Sequence, residues 1–579
     1  MTIRLKKHLC LVSVLMVMFH ANHLKAQTPQ SRSQDTIDTQ VVNIVKPYTP
    51  KISDAFKLKQ TPRMGVSDTP QKSVKYTIFS IPVASTFTPA KGTSVRLDKL
   101  KKEKLFQNYA SLGYGNYGTI LGNLYLNHRL GRGERIGGYI EHHSSQGGID
   151  GLQFEDGFSN SSAQINYVKS LKAFVWNTDA AFQRQAVNWY GLPFETTIAL
   201  DPKQVYSTIE LGSDVQFTKG VLRSGEIHLR RFSDVYDSQE YHLTGETNFQ
   251  FDVLDSPINS SVKVDYLKGS FAENYNGIET QNYGNIQFSL APSYQYIQDD
   301  LTVLVGFKAY YLMDSEQNKN DFYIYPNVEA SYAVVNSIVV AYAGVKGDLY
   351  QNTYYDFAQI NPFVSPTLDI RPSSTPYNVF VGTKGKLSQS IGYDLKGSFT
   401  REQNKALFRT HSIQNFSVPN NYNQGNSFGV VYDDVDVINI SGALEIDMSQ
   451  KLNVHLKGDL YKYTSDVEPT AWNLPEFEAS LFLDYQLSDK LSMAANLFYW
   501  GSRQDTTNFE GLFIPEPITA NVTLDAFLDA NFQIAYEITN QFGAFVKVNN
   551  IANNSYNRWN HYPVQGFQIL GGVSYKFDF

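Results

Sequence analysis

Cysteine is almost missing from this chain: among 579 residues there is one, Cys10. It lies ahead of an apolar run rather than after one, so it is not placed to be the lipidated cysteine of a lipoprotein. The chain beyond it has no disulfide framework and no thiol chemistry. Long apolar runs are missing too. Past residue 26 no stretch approaches the roughly 18 to 20 apolar residues of a helical membrane span, and mean hydropathy is -0.32. Helical membrane spans are therefore excluded, whereas a barrel, whose lumenal half is polar, is not. No tract of Lys and Arg is dense enough to suggest nucleic acid as a partner.

What is there begins with an export pattern. Arg4, Lys6 and Lys7 precede the apolar run from Leu9 to Phe19, and a short polar stretch ends at Ala26. That order is the signature of a secretory signal peptide over residues 1–26. Without Arg4, Lys6, Lys7 and Lys25, the chain keeps 45 basic against 56 acidic side chains, a net of -11. Charge on this scale is ordinary surface solvation.

The mature chain divides near Gln107. Residues 27–106 are rich in Thr, Ser, Gln, Lys and Pro, with Pro47, Pro50, Pro62, Pro70, Pro82 and Pro89 interrupting any regular element. They read as an extended, irregular segment, periplasmic or filling a lumen. From 107 to 579 the hydrophobic period becomes 2. In Val522 to Ile538, Leu524, Leu528, Phe532, Ile534 and Tyr536 alternate with Asp525, Asp529, Asn531, Gln533 and Glu537. Leu243 to Val253, Ile438 to Met448 and Leu452 to Leu460 behave in the same way. Such alternation puts one set of side chains toward lipid and the other toward water. The 38 Tyr and 37 Phe suit the aromatic girdles of a membrane barrel.

Turn signals recur between these runs: 131–134, 169–172, 219–224, 255–257, 298–300, 336–337, 388–390, 449–450, 487–490 and 539–540. A barrel of n strands with both termini in the periplasm has n/2 minus 1 internal periplasmic turns, so ten turns predict about 22 strands. The fold class is therefore all-β, a transmembrane antiparallel barrel in the outer membrane. The final strand alternates Val573, Tyr575, Phe577 and Phe579 with Ser574, Lys576 and Asp578. An aromatic end of this kind reads as the signal recognised by the barrel assembly machinery.

The closing stretch from Gly566 to Phe579, and before it Val546 to Tyr556 with Trp559 and Tyr562, resemble the end of a TonB-dependent receptor barrel. That family closes with an Asn-hydrophobic-x-Asn/Asp-x-x-Tyr segment, here Asn550 to Tyr556, and a last strand ending on Phe. The resemblance implies solute or nutrient uptake across the outer membrane, with ligand captured by external loops. It also directs attention to a TonB-box-like run at Asp38, Thr39, Val41, Val42, Ile44 and Val45, and so to TonB as a partner. The chain departs from the family in one respect: between Val45 and the first strand there are too few residues for the usual plug domain, so the resemblance is to a plugless receptor.

A barrel of this size needs something in its bore. The amino-terminal segment with its apolar piece Tyr76 to Phe87, inward-folded loops, and a partner protein are the three candidates. The alternative function is a non-transporting scaffold or assembly subunit, docking a surface lipoprotein or other outer-membrane subunits. No nucleophile elbow, P-loop or dinucleotide fingerprint marks an enzyme, and no cofactor is implied. His142 and His143 are neighbours on a strand and point to opposite faces. The loop with Asp150, Glu155 and Asp156 lacks the order of a calcium loop. Recognition is expected at the longest loops, Tyr354 to Tyr377, His411 to Asp434 and Arg503 to Ala520.

Overall fold

The computed structural model describes residues 106–578 apart from 196–199, 254–255, 276–278, 336–337, 414–420, 450 and 510–517. The expected signal peptide, the segment 27–105 with its TonB-box-like run and Tyr76 to Phe87, and Phe579 lie outside the described residues.

Period-2 alternation produces one closed antiparallel sheet of 22 strands. It starts at Asn108–Gly115, ends at Gln568–Phe577, and has no free edge because those two strands pair from Asn108 opposite Phe577 to Gly115 opposite Leu570. Closure satisfies every row of backbone donors and acceptors, the condition for crossing a bilayer with strands. The ten short connections join adjacent strands where the turn signals stand, for example Gly131 to Glu134 and Ser388 to Ile391. Among the described residues the only α-helix is Tyr354–Ile360, and no helix is long and apolar enough to cross a membrane.

The outer face is apolar. Val381 is 65% exposed, Ile440 60% and Ile324 63%, and such residues ring the sheet with outward Tyr241, Tyr311, Tyr332, Tyr499, Tyr536 and Tyr575. A continuous belt of this kind has no place in water and faces acyl chains. Its upper limit can be read from the registers of the long strands. Val381 is opposite Gly397 and Gly397 opposite Ile440; one step up lie Val379, Phe399 and Ile438; a further step brings Tyr377, Arg401 and Asp436. There the face turns charged, with Arg401 bridging Asp434, Asp436 and Asp466. Below Arg401 remain about ten residues to the turn at Ile391, the length a tilted strand needs to cross the hydrocarbon.

The inner face carries the polar half of the alternation, including buried Glu240, Asp265, Gln287, Asp459, Asn531 and Gln533. Wall height is uneven. Asn108–Gly115 and Phe542–Asn549 have 8 residues each, whereas Ile391–Thr410 has 20 and Phe428–Ser449 has 22.

Two expectations need correction. Val522 and Leu524 belong not to the barrel strand but to a hairpin, Arg503–Phe509 with Ile518–Leu524, that forms a separate two-stranded sheet; the barrel strand is Phe527–Glu537. Alternation runs unbroken through both because it reports extended backbone, not the identity of the partner strand. Of the supposed loop His411 to Asp434, residues from Phe428 onward are barrel strand.

Candidate functional site

The described parts of the long connections fold together over one mouth of the barrel. The clearest is the segment between strands Val339–Tyr350 and Ser373–Ser388, which carries the short helix Tyr354–Ile360. Thr353 caps this helix, its hydroxyl accepting from the Asp356 N–H at 3.0 Å. Such a cap satisfies one of the orphan donors of a helix start. Two more are taken by the wall: the backbone N–H groups of Tyr354 and Tyr355 donate to Glu240 at 2.6 and 3.2 Å. Glu240 also accepts from the Tyr283 hydroxyl at 2.9 Å. The Tyr354 hydroxyl donates to Asp234 at 2.7 Å, and Asp234 accepts from the N–H groups of Tyr236 and Ser238 in its own turn. Burial pushes the Asp234 carboxyl above the ordinary carboxylate range, against the pull of the Tyr354 and Ser238 hydrogen bonds.

An aromatic core forms beneath. Tyr206, Phe232, Phe271 and Tyr283 on the wall pack with Tyr354 and Phe357 of the helix, and the same cluster reaches Phe408, Phe428, Trp559 and Tyr562. Phe363 stacks on Tyr562 at 3.6 Å between ring centroids, and Tyr190 packs against both. Trp189 and Tyr206 donate to the Pro362 carbonyl, while Tyr562 donates to that of Asn426. Strands Ile391–Thr410 and Phe428–Ser449 continue above the belt as a two-stranded ribbon with both faces covered. Phe408 and Val430 join the aromatic core, while Leu407 and Val431 join a second cluster with Trp472. Residues up to hundreds of positions apart thus make one apolar seal. Folded loops thus cover the mouth of the bore, while the amino-terminal segment, another of the three candidates, lies outside the described residues.

The hairpin Arg503–Leu524 is tied in by two charged side chains. Asp505, fully buried, accepts from the Thr410 N–H and hydroxyl at 3.0 and 2.9 Å. Burial raises its pKa. Arg503 donates to the carbonyls of Arg558 and Asn557 at 2.7 and 2.9 Å. Burial, then neighbouring Arg558, lowers its pKa to about 9.

Between ribbon and loops a cavity of about 360 Å³ remains, lined among others by Tyr275, Thr367, Asp369, Arg409, His411 and Ser412. The Tyr275 ring lies 4.0 Å from that of His411, and its hydroxyl donates to the Ser412 carbonyl. Burial, assisted by Arg409, lowers the His411 pKa to about 3, so its imidazole is neutral. Arg409 pairs with Glu468 at 3.2 Å. One tyrosine ring, an uncharged imidazole, hydroxyls, the Asp369 carboxylate and the Arg409 guanidinium make a lining suited to a polar organic solute.

The sequence-derived candidates fare unequally. Val573 and Tyr575 face outward on the last strand, Tyr575 stacking on Phe577 at 5.5 Å. Asp156, of the loop that lacks calcium-loop order, is buried, accepting from the N–H groups of Gly148 and Ile149 and from the Gln565 amide. It joins two loops of the cap. His142 bonds to Ser161 and Ser144, whereas His143 packs edge-on to Phe158. Among the described residues no three His, Cys, Asp or Glu converge as metal ligands. Sequence reading overlooked Arg230, Asp234, Glu240 and His242. The only local clue was the Asp234 to Ser238 turn, since Glu240 and His242 look like any other polar position of an alternating strand.

No family model and no curated protein sequence matches the chain. Solved structures do. The ferripyoverdine receptor of the outer membrane of Pseudomonas aeruginosa, bound to ferripyoverdine, is 14% identical with a TM-score of 0.57, over 82% of this chain and 72% of that one. The ferric-catecholate import receptor Fiu from E. coli K12 gives 12% and 0.57, over 81% and 82%. The siderophore receptor PirA from Acinetobacter baumannii gives 10% and 0.58, over 82% and 81%. At such identities the likeness is one of fold.

Proposed function

We propose that this protein is an outer-membrane receptor barrel that takes up a polar organic solute, capturing it at the loop-covered mouth. The observation that carries this reading is the shared architecture: a closed 22-strand barrel similar to three receptors, one of them named as a receptor of the outer membrane, with its long loops folded over one end. Tight turns face the periplasm in bacterial barrels and long loops face outside, so the cavity at Tyr275 and His411 opens where an external solute arrives. The neighbours are receptors rather than enzymes, in keeping with a protein that binds and passes its solute unchanged.

Energy coupling through TonB at Asp38 to Val45, export by residues 1–26 and assembly through Val573, Tyr575, Phe577 and Phe579 complete the reading. The scaffold alternative, with a lipoprotein lid, gains no support from these neighbours.

The test is to purify the full chain from its own membranes, identify the small molecules that stay bound, and repeat with Ser412→Trp, which fills the cavity. A solute retained by the wild type and lost from the variant supports capture there. Deleting residues 38–45 should then abolish accumulation in cells while leaving binding intact. A preparation that retains no solute but carries a stoichiometric protein partner would replace this reading by the scaffold one.

A further inference from the structure

Between the wall and the capping helix runs a line of charged side chains that the receptor reading does not use. Lys263 pairs with Asp265 at 2.9 Å, Asp265 with His242 Nε2 at 2.7 Å, His242 Nδ1 with Arg230 at 3.1 Å, and Arg230 with the Thr353 hydroxyl at 3.2 Å. Thr353 is the residue that caps the helix, and the Arg230 guanidinium also lies 3.9 Å over the Tyr355 ring. All four wall residues are on the inner face, at register positions near one another: Arg230 is opposite His242, and Thr244 is opposite Asp265.

The chemistry of this line dictates one protonation state. A guanidinium has five N–H donors and no acceptor, so a hydrogen bond from Arg230 requires a lone pair on His242 Nδ1. The imidazole is then neutral, with its proton on Nε2 donated to Asp265. Adding a second proton puts an N–H on Nδ1 against the N–H of Arg230, turning a bond into a clash of like charges. Other groups modulate that step. Asp265 and, across Arg230, Glu240 favour the added charge; Arg230 and Lys263 oppose it; Asp234, Glu210, Asp356 and the Tyr206 and Tyr283 hydroxyls are further titratable groups packed around the helix start.

We propose that His242 is an acid-sensitive latch for the cap: neutral, it holds Arg230 under Thr353 and Tyr355, and protonated, it displaces Arg230 and loosens the helix from Glu240. The consequence for passage, an outer mouth that opens more readily in mild acid, rests on the receptor reading; the latch itself does not. His242 thus acts as a positioning residue, through Arg230, and touches no solute.

The experiment is hydrogen exchange on the full chain in detergent or nanodiscs, following the Tyr354 and Tyr355 amides that Glu240 protects. After correction for the intrinsic pH dependence of exchange, their protection should fall at least about tenfold between pH 7.5 and 5.5, as expected for losing hydrogen bonds to a charged group. His242→Gln, which can still accept from Arg230 and donate to Asp265 but takes no proton, should abolish that fall. His455→Gln, altering a half-exposed histidine of the barrel strand Leu452–Ser465, should preserve it. A fall that persists in His242→Gln, or one that disappears in His455→Gln, overturns the latch. Should the amides respond as stated while ion conductance in planar bilayers stays the same at both pH values, the latch stands and the passage reading fails.

Discussion

The tip of the Phe545 ring lies against Gly572, its opposite residue on the neighbouring last strand, and a β-carbon at that glycine would overlap the ring. The same ring reaches Gly113 of the first strand, and together with Leu121 and Leu570 it makes a small apolar cluster on the lumenal side of the seam. An aromatic covering a bare stretch of sheet recovers packing that glycine forgoes, and here it spans the junction where the barrel closes.

Gly572→Ala should therefore weaken the seam. Overpacking costs typically about 1 to 3 kcal/mol, so the temperature at which the folded band on an unboiled gel gives way to the unfolded band should drop. Gly571→Ala, where a β-carbon meets nothing within 4 Å, is the matched control and should leave that temperature unchanged.

Asp505 offers a pH prediction. Its folded pKa is raised by burial above the unfolded value, so burying the charged form costs stability at neutral pH, and that cost is relieved as pH falls through the folded pKa. Asp505→Asn keeps an acceptor for the Thr410 N–H and removes the charge. It should hold the hairpin at least as firmly as wild type at pH 7 and flatten the pH dependence. Asp505→Ala leaves the Thr410 groups unpaired and should loosen it by about 1 to 3 kcal/mol. Protease clipping within residues 503–524 reads both outcomes.

Removing the Tyr354 hydroxyl with Tyr354→Phe takes one donor from half-buried Asp234 while sparing the ring's place in the aromatic core. Loss of a bond to a charged group costs about 1.5 to 3 kcal/mol. Cleavage of the segment Gln351 to Pro372 should accelerate about tenfold or more, with the barrel's own heat stability untouched.

The bilayer boundary deduced from register can be located directly. A spin label at Val381→Cys should be reached by oxygen and shielded from a polar relaxation agent, and one at Asp436→Cys should show the reverse. Equal accessibility at the two sites would mean that the charged level at Arg401 does not mark the membrane surface.

Legibility in the sequence followed the range of the interaction. The ten turns were readable because Gly, Asn, Asp, Ser and Lys clusters act on their own backbone, and counting them returned the strand number. The lipid face was readable for the same reason: a side chain two residues along lies on the same face. The far strand of the hairpin at Arg503 was misread, because Val522 and Leu524 are as consistent with a barrel strand as with one paired to Asp505 and Arg503. The cap was unreadable. Glu240 and Tyr354 are 114 positions apart, and nothing near either residue announces the other.

By itself, the amino-acid order determined that this protein is a closed cylinder with a wet bore and a greasy exterior, since a period of two is a property of each strand alone. Tertiary structure decided what stands in the mouth. Which loops fold inward, and which carboxylates meet a helix start there, depends on side chains brought together only after the sheet has closed and water has been excluded from between them.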